Sequence, residues 1–166
     1  MYLPALLATA LGAVVVNAVV NDIGVPSTIK SGDTFNILGH QTIGQGYGDY
    51  VIVFGIQNGA PSSDTAAFGN IFAGPFNLAT FGSSYNLTIP NVQAYADKGP
   101  AVIKAAIMSL AGVYRDLSVH TISVSTTIGD STSSSYVYSQ GSALIVGGLE
   151  ARGAGATADG ELMGHK

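Results

Sequence analysis

The residues that could do chemistry are few. The three histidines, His40, His120 and His165, have no spacing that suits a metal site. His40 reads as an end-of-strand residue, His120 as a bulge residue or structural hydrogen-bonder, and His165 sits in the tail. Asp33, Asp49, Asp64, Asp97, Asp116 and Asp130 stand singly and read as turn formers. Glycoside hydrolysis needs two carboxylates facing each other across a cleft, and the order of these residues pairs none of them. The chain has no cysteine, so thiol catalysis, cysteine-zinc sites and disulfides are excluded. HExxH, GxSxG and a glycine-rich phosphate loop are all missing from the sequence. The expectation is a protein with no catalytic residues, no metal and no cofactor.

Binding chemistry has more to work with. AFGNIFAGPFNLATFG, residues 67–82, carries four of the six phenylalanines, Phe68, Phe72, Phe76 and Phe81. The plainer reading is that they plug a core where strands change sheets; the sharper one is an exposed aromatic groove for a partner protein. A sugar platform is the alternative. Tyr136 and Tyr138 share a strand face and Tyr47 lies near Tyr50, but there is no tryptophan to stack on a sugar ring. Asn86-Leu87-Thr88 is an N-glycosylation sequon, and strand alternation points Asn86 to solvent.

Composition narrows the partners. The net charge is −4 and 10% of residues are charged, with six Lys and Arg spread along the chain. No basic stripe exists to neutralise nucleic-acid phosphates or to dock on an anionic membrane. The first 18 residues, MYLPALLATALGAVVVNA, hold a short apolar run with Val16 and Ala18 at the −3 and −1 positions of a cleavage site. The run is too short for a membrane span. Cleavage between Ala18 and Val19 leaves a secreted chain that reads as a monomer. It also leaves valine first, which excludes a copper oxygenase held by an N-terminal histidine. The Gly/Ala-rich residues 149–166 form a polar tail that is expected to be flexible.

The elements that must position these residues are strands. Pro26 suits an edge strand, Lys30-Ser31-Gly32-Asp33 a turn, and Phe35 and Ile37 a core face. DYVIVFGIQNG, residues 49–59, is apolar on both parities and reads as a central strand ended by Asn58-Gly59. In SYNLTIP, Tyr85, Leu87 and Ile89 share a face. GPAVIKAAIMSLAG points Ile103, Ala105 and Ile107 inward and Lys104 outward, with helix as the rival. LSVHTISVSTTIG changes apolar parity near His120, which predicts a β-bulge there. SSSYVYS and SALIVGG close the set. Roughly seven strands with turns at regular spacing predict an all-β, immunoglobulin-like antiparallel β-sandwich over residues 19–148.

The order of IGVPSTIKSGDTFNI, DYVIVFGIQ, FAGPFNL, NLTIP, PAVIKAAIMSLAG and SVHTISVSTTIGDSTSSSYVYS behind a leader resembles the necrosis-inducing secreted protein family of fungi. The likeness covers most of Ile23 to Ser139. The resemblance implies a secreted effector delivered to plant tissue, able to provoke cell death. It implies suppression of pattern-triggered immunity by binding and inhibiting plant immune receptor-associated kinases, outside the fungus and in host cytoplasm after uptake. It brings no catalytic residues.

Overall fold

The computed structural model describes residues 18–43, 47–60, 68–78, 85–111, 114, 116–140 and 142–147. Ten strands form among them: β1 Ala18–Pro26, β2 Thr28–Lys30, β3 Thr34–Ile43, β4 Tyr47–Asn58, β5 Asn70–Asn77, β6 Asn86–Gln93, β7 Gly99–Ala111, β8 Asp116–Gly129, β9 Tyr136–Tyr138 and β10 Ser142–Gly147. They make two facing sheets. Sheet A has the order β6-β3-β1-β9; sheet B has the order β10-β8-β7-β4-β5, with β2 added to β8. All pairings are antiparallel except β2 on β8, which is parallel. The fold is an all-β sandwich whose ten described strands exceed the expected seven.

Period-two alternation builds the core. Sheet A turns Ile23, Val25, Phe35, Ile37, Leu87 and Ile89 inward, and sheet B answers with Ile52, Phe54, Ile103, Ile107, Ile122 and Val124. Each of these is nearly or fully excluded from solvent. The β-branched and aromatic residues favour extended backbone, and burying each is worth about 2 kcal/mol. The turn at Lys30-Ser31-Gly32-Asp33 forms as expected: Gly32 takes φ +83° and the Asp33 amide donates to the Lys30 carbonyl at 3.0 Å. β7 is a strand, not a helix, and its partners β4 and β8 flank it along its length. β4 lies between β7 and β5, with Val51 and Val53 half-buried on its outer face, as a covered central strand should be.

Four local expectations fail, each for a physical reason. β8 carries no bulge against β7 at His120, where the register runs unbroken from Gly99↔Ile128 to Ala111↔Asp116; the register shift near His120 lies in its pairing with β10, between Leu144 and Val146. Even-numbered residues face inward throughout, so Ser118 and His120 are the inward residues and Leu117 is exposed. The apparent parity change came from polar residues occupying core-facing positions. Pro26 is not on an edge strand. It is the last residue of β1, between β3 and β9, where its missing N–H costs only a terminal rung. Its carbonyl accepts from Thr126 Oγ1 at 2.7 Å, where the chain leaves sheet A for sheet B. Asp49 is not a turn former: it lies within β4 and is buried. Tyr85 does not share the core face of Leu87 and Ile89; it precedes β6 and is exposed. Lys104 does face outward, but it is buried there.

Candidate functional site

The edge strand of each sheet decides where the sandwich opens. β6 ends sheet A and β5 ends sheet B on the same side. Between them lies an open crevice of about 600 Å³. That volume is in the range of sites that bury a ligand or a partner's side chains. Ile56 and Val92 form its buried floor, Phe72, Ala73 and Phe76 one wall, and Ile71 and Tyr95 its exposed rim. Asn70, Asn91 and Gln93 add side-chain amides. Among the described residues none that lines it is charged.

The phenylalanines divide between the two readings of their segment. Phe72 and Phe76 are half-buried and packed on the core, with Phe72 6.4 Å from Phe35 and 6.3 Å from Phe54, and Phe76 6.3 Å from Phe54, centroid to centroid. Their inner faces plug the sandwich and their outer surfaces line the crevice. Phe68 is elsewhere. Its ring covers Gly55 on the outer face of sheet B, where a Cβ on that glycine would lie 2.7 Å from the ring. Phe81 lies outside the described residues, as do Asp64 and His165.

Tyr95 is the residue that sequence reasoning missed. It follows β6 and is 68% exposed, yet its backbone is fixed on both sides. The Gly32 amide donates to the Ala94 carbonyl at 2.9 Å, and the Ala96 amide donates to Ser31 Oγ at 3.1 Å. The ring leans on Gly32, 3.1 Å from where a Cβ would stand. An exposed aromatic held by a rigid backbone loses little entropy on binding. Both edge strands here carry a proline, Pro75 in β5 and Pro90 in β6. Each removes a main-chain donor, which blunts strand addition at these edges.

The outer face of sheet A holds a second cluster. His40 Nδ1 lies 2.9 Å from both carboxylate oxygens of Asp22. Its ring stacks on Tyr138 at 5.5 Å and meets Tyr85 at 5.1 Å. Tyr138 in turn lies over Gly24, whose missing Cβ would otherwise be 2.5 Å from the ring. Tyr136 is half-buried and donates its hydroxyl to the Asn36 carbonyl at 3.1 Å; burial pushes that phenol up from its ordinary value. Tyr138 and Tyr85 are exposed, and Tyr138 is the ring stacked on His40. Tyr50 is half-buried.

A third cluster is interior. Asp49 accepts from the Val20 amide at 2.7 Å and from Ser109 Oγ at 2.5 Å. Ser109 Oγ is 3.3 Å from His120 Nδ1. Burial raises the Asp49 carboxyl above its usual range, against the lowering effect of those two hydrogen bonds and of His120. Serine, histidine and aspartate meet here, but enclosed between the sheets and with Asp49 bonded to the serine. The arrangement ties β1 in sheet A to β4 in sheet B; it does not present a nucleophile. Among the described residues no three His, Asp or Glu side chains group as metal ligands. The other aspartates serve the surface: Asp33 accepts from Thr132, Asp97 from Asn58, and Asp130 pairs with Lys98, which lowers its carboxyl.

Asn86 and Thr88 are exposed on β6 while Leu87 and Ile89 are buried, as alternation requires of an accessible sequon. Ala18 and Val19 begin β1, pairing with Ile43 and Thr42. The sequence model of the Nis1 family matches residues 16–127, more than half of the chain. Necrosis-inducing secreted protein 1 of Colletotrichum orbiculare is 29% identical over 147 residues, which span 84% of this chain and 87% of that relative. The matched region runs from just before β1 to near the end of β8 and takes in both walls of the crevice, so the chain belongs to the Nis1 family.

Proposed function

We propose that this protein is a secreted effector that binds plant immune receptor-associated kinases and inhibits them by occupation, suppressing pattern-triggered immunity and provoking host cell death. The relative's name, necrosis-inducing and secreted, supports release from the cell. The leader grammar of residues 1–18, with cleavage between Ala18 and Val19, supports it too. The two-sheet sandwich, immunoglobulin-like in kind, serves as a rigid scaffold, and Asn86 carries a glycan on its outer face.

The observation that carries the reading is the β5–β6 crevice. An uncharged aromatic cleft with exposed Ile71 and Tyr95 at its rim is the composition of a protein-binding hot spot. Its occupant is an extended, uncharged segment of the kinase with a large apolar side chain. That side chain inserts between Phe72 and Val92, while Asn70, Asn91 and Gln93 hydrogen-bond the partner's main chain. Asn86 and Gln93 stand at opposite ends of β6, about 20 Å apart along the strand, so a glycan leaves the crevice open. The test mixes purified Val19–Lys166 with the cytoplasmic kinase domain of a plant immune co-receptor. Binding at micromolar Kd or tighter, with reduced autophosphorylation, supports the reading. A folded sample that neither binds nor inhibits overturns it.

A further inference from the structure

The interior Asp49 has an uncommon surrounding for a carboxylate. It is 6% exposed. Among the described residues the ion pairs join Lys30 to Asp33, His40 to Asp22 and Lys98 to Asp130, and none reaches Asp49. The titratable group facing it is His120 of β8, on the far side of Ser109 from β7; β1 offers it the Val20 amide. An ionised carboxylate kept from water calls for a cation.

Cleavage between Ala18 and Val19 would make Val20 the second residue of the chain. We infer that leader removal supplies a cation beside this carboxylate: the ammonium created on Val19 pairs with Asp49 and locks β1 to β4 across the two sheets. Cleavage adds water across the Ala18–Val19 amide. The carboxylate leaves with the leader, and the new amine takes up a proton at neutral pH. Val19 is paired with Thr42 of β3, and successive strand amides point opposite ways, so the pairing needs the new terminal nitrogen to turn from β3 toward Asp49. The Val20 nitrogen is 2.7 Å from Asp49 Oδ2. One residue of extended chain spans about 3.6 Å, so the Val19 nitrogen lies within roughly 6 Å of the same oxygen before any adjustment. Val19 is only half-buried and the ammonium has three donors to turn. In the uncut chain an amide stands there instead, and burial pushes the Asp49 carboxyl up. The inference rests on the cleavage position given above.

Three measurements separate the pairing from the cleavage position. The intact mass of the protein secreted by a eukaryotic host gives the first residue. Thermal unfolding at pH 7 then compares Val19–Lys166 with the same chain preceded by Gly-Ser, each with and without Asp49→Asn. We expect a first residue of Val19, a Tm lower by about 4 °C in the extended chain, and loss of that difference in the Asp49→Asn background. The third readout needs no substitution: the α-amine of the mature chain, labelled by reductive methylation with carbon-13, titrates above the ordinary 7.7–8.0 of a free α-amine. A different first residue overturns the cleavage position and the inference with it. A Val19 start with an ordinary amine titration leaves the cleavage standing and overturns the pairing. Equal Tm for the two chains does the same.

Discussion

Replacing Tyr95 with alanine separates a binding surface from a structural one. The ring is 68% exposed, so folding buries about a third of it. A tyrosine offers about 200 Å² of surface. A third of that at about 25 cal/mol per Å² is about 1.6 kcal/mol, an upper figure because the Cβ stays and the hydroxyl is polar. Folding therefore loses about 1 kcal/mol, or about 4 °C in Tm. A partner that closes over the crevice buries the remaining two thirds, worth about 3 kcal/mol. Tyr95→Ala should accordingly weaken kinase-domain binding by about 100-fold. Tyr114, 91% exposed at the β7–β8 turn, provides the matched control, and Tyr114→Ala should change neither property. The assay is calorimetric titration of the kinase domain with each variant, beside thermal unfolding of the same samples. A Tyr95→Ala protein that binds within threefold of the unaltered chain would refute the placement of the site.

Other residues give sharper contrasts of stability. Phe54→Ala removes a fully buried ring that supports both Phe72 and Phe76, and should cost 3–5 kcal/mol in urea unfolding together with the crevice wall. Asp49→Ala strands the Val20 amide and the Ser109 hydroxyl and should cost about 3 kcal/mol, whereas Asp49→Asn keeps an acceptor and should cost under half as much. In a chain extended beyond Val19, the folded state holds the Asp49 proton at pH values where the unfolded state has lost it. Stability should then decline as pH rises from about 4 through the raised folded value, and Asp49→Asn should remove that slope. Asn86→Gln should remove the glycan mass of protein secreted from a eukaryotic host while leaving kinase binding unchanged.

The sandwich was legible because its cause is local. Alternation in Thr34–Ile37, Asn86–Ile89 and Ala101–Ile107 fixes which side chains face inward, and a two-residue period survives whatever the neighbours are. The turn at Gly32 and the end of β4 at Asn58-Gly59 follow from residues that tolerate positive φ or favour turns. What failed depends on distant partners. His120 and Ser118 look like a break in the pattern until β7 and β4 bring Ser109 and Asp49 against them, from 11 and 71 positions away in the case of His120. The crevice needs β5 and β6 to end different sheets on one side, a matter of strand order that no single segment encodes. Phe72 and Phe76 could be picked out by composition. Ile71 looks like any other strand residue, and the exposure of Tyr95 follows from the anchoring of residues 94 and 96 to the turn at Ser31-Gly32.

Hydrogen–deuterium exchange of Val19–Lys166 alone and with the kinase domain, read beside autophosphorylation in the same mixture, tests the central claim most directly. The account predicts slowed exchange confined to Asn70–Asn77 and Asn91–Tyr95, with kinase activity falling as those segments become protected. Protection on the outer face of sheet A, around His40 and Tyr138, or full protection of the crevice with kinase activity untouched, would contradict it.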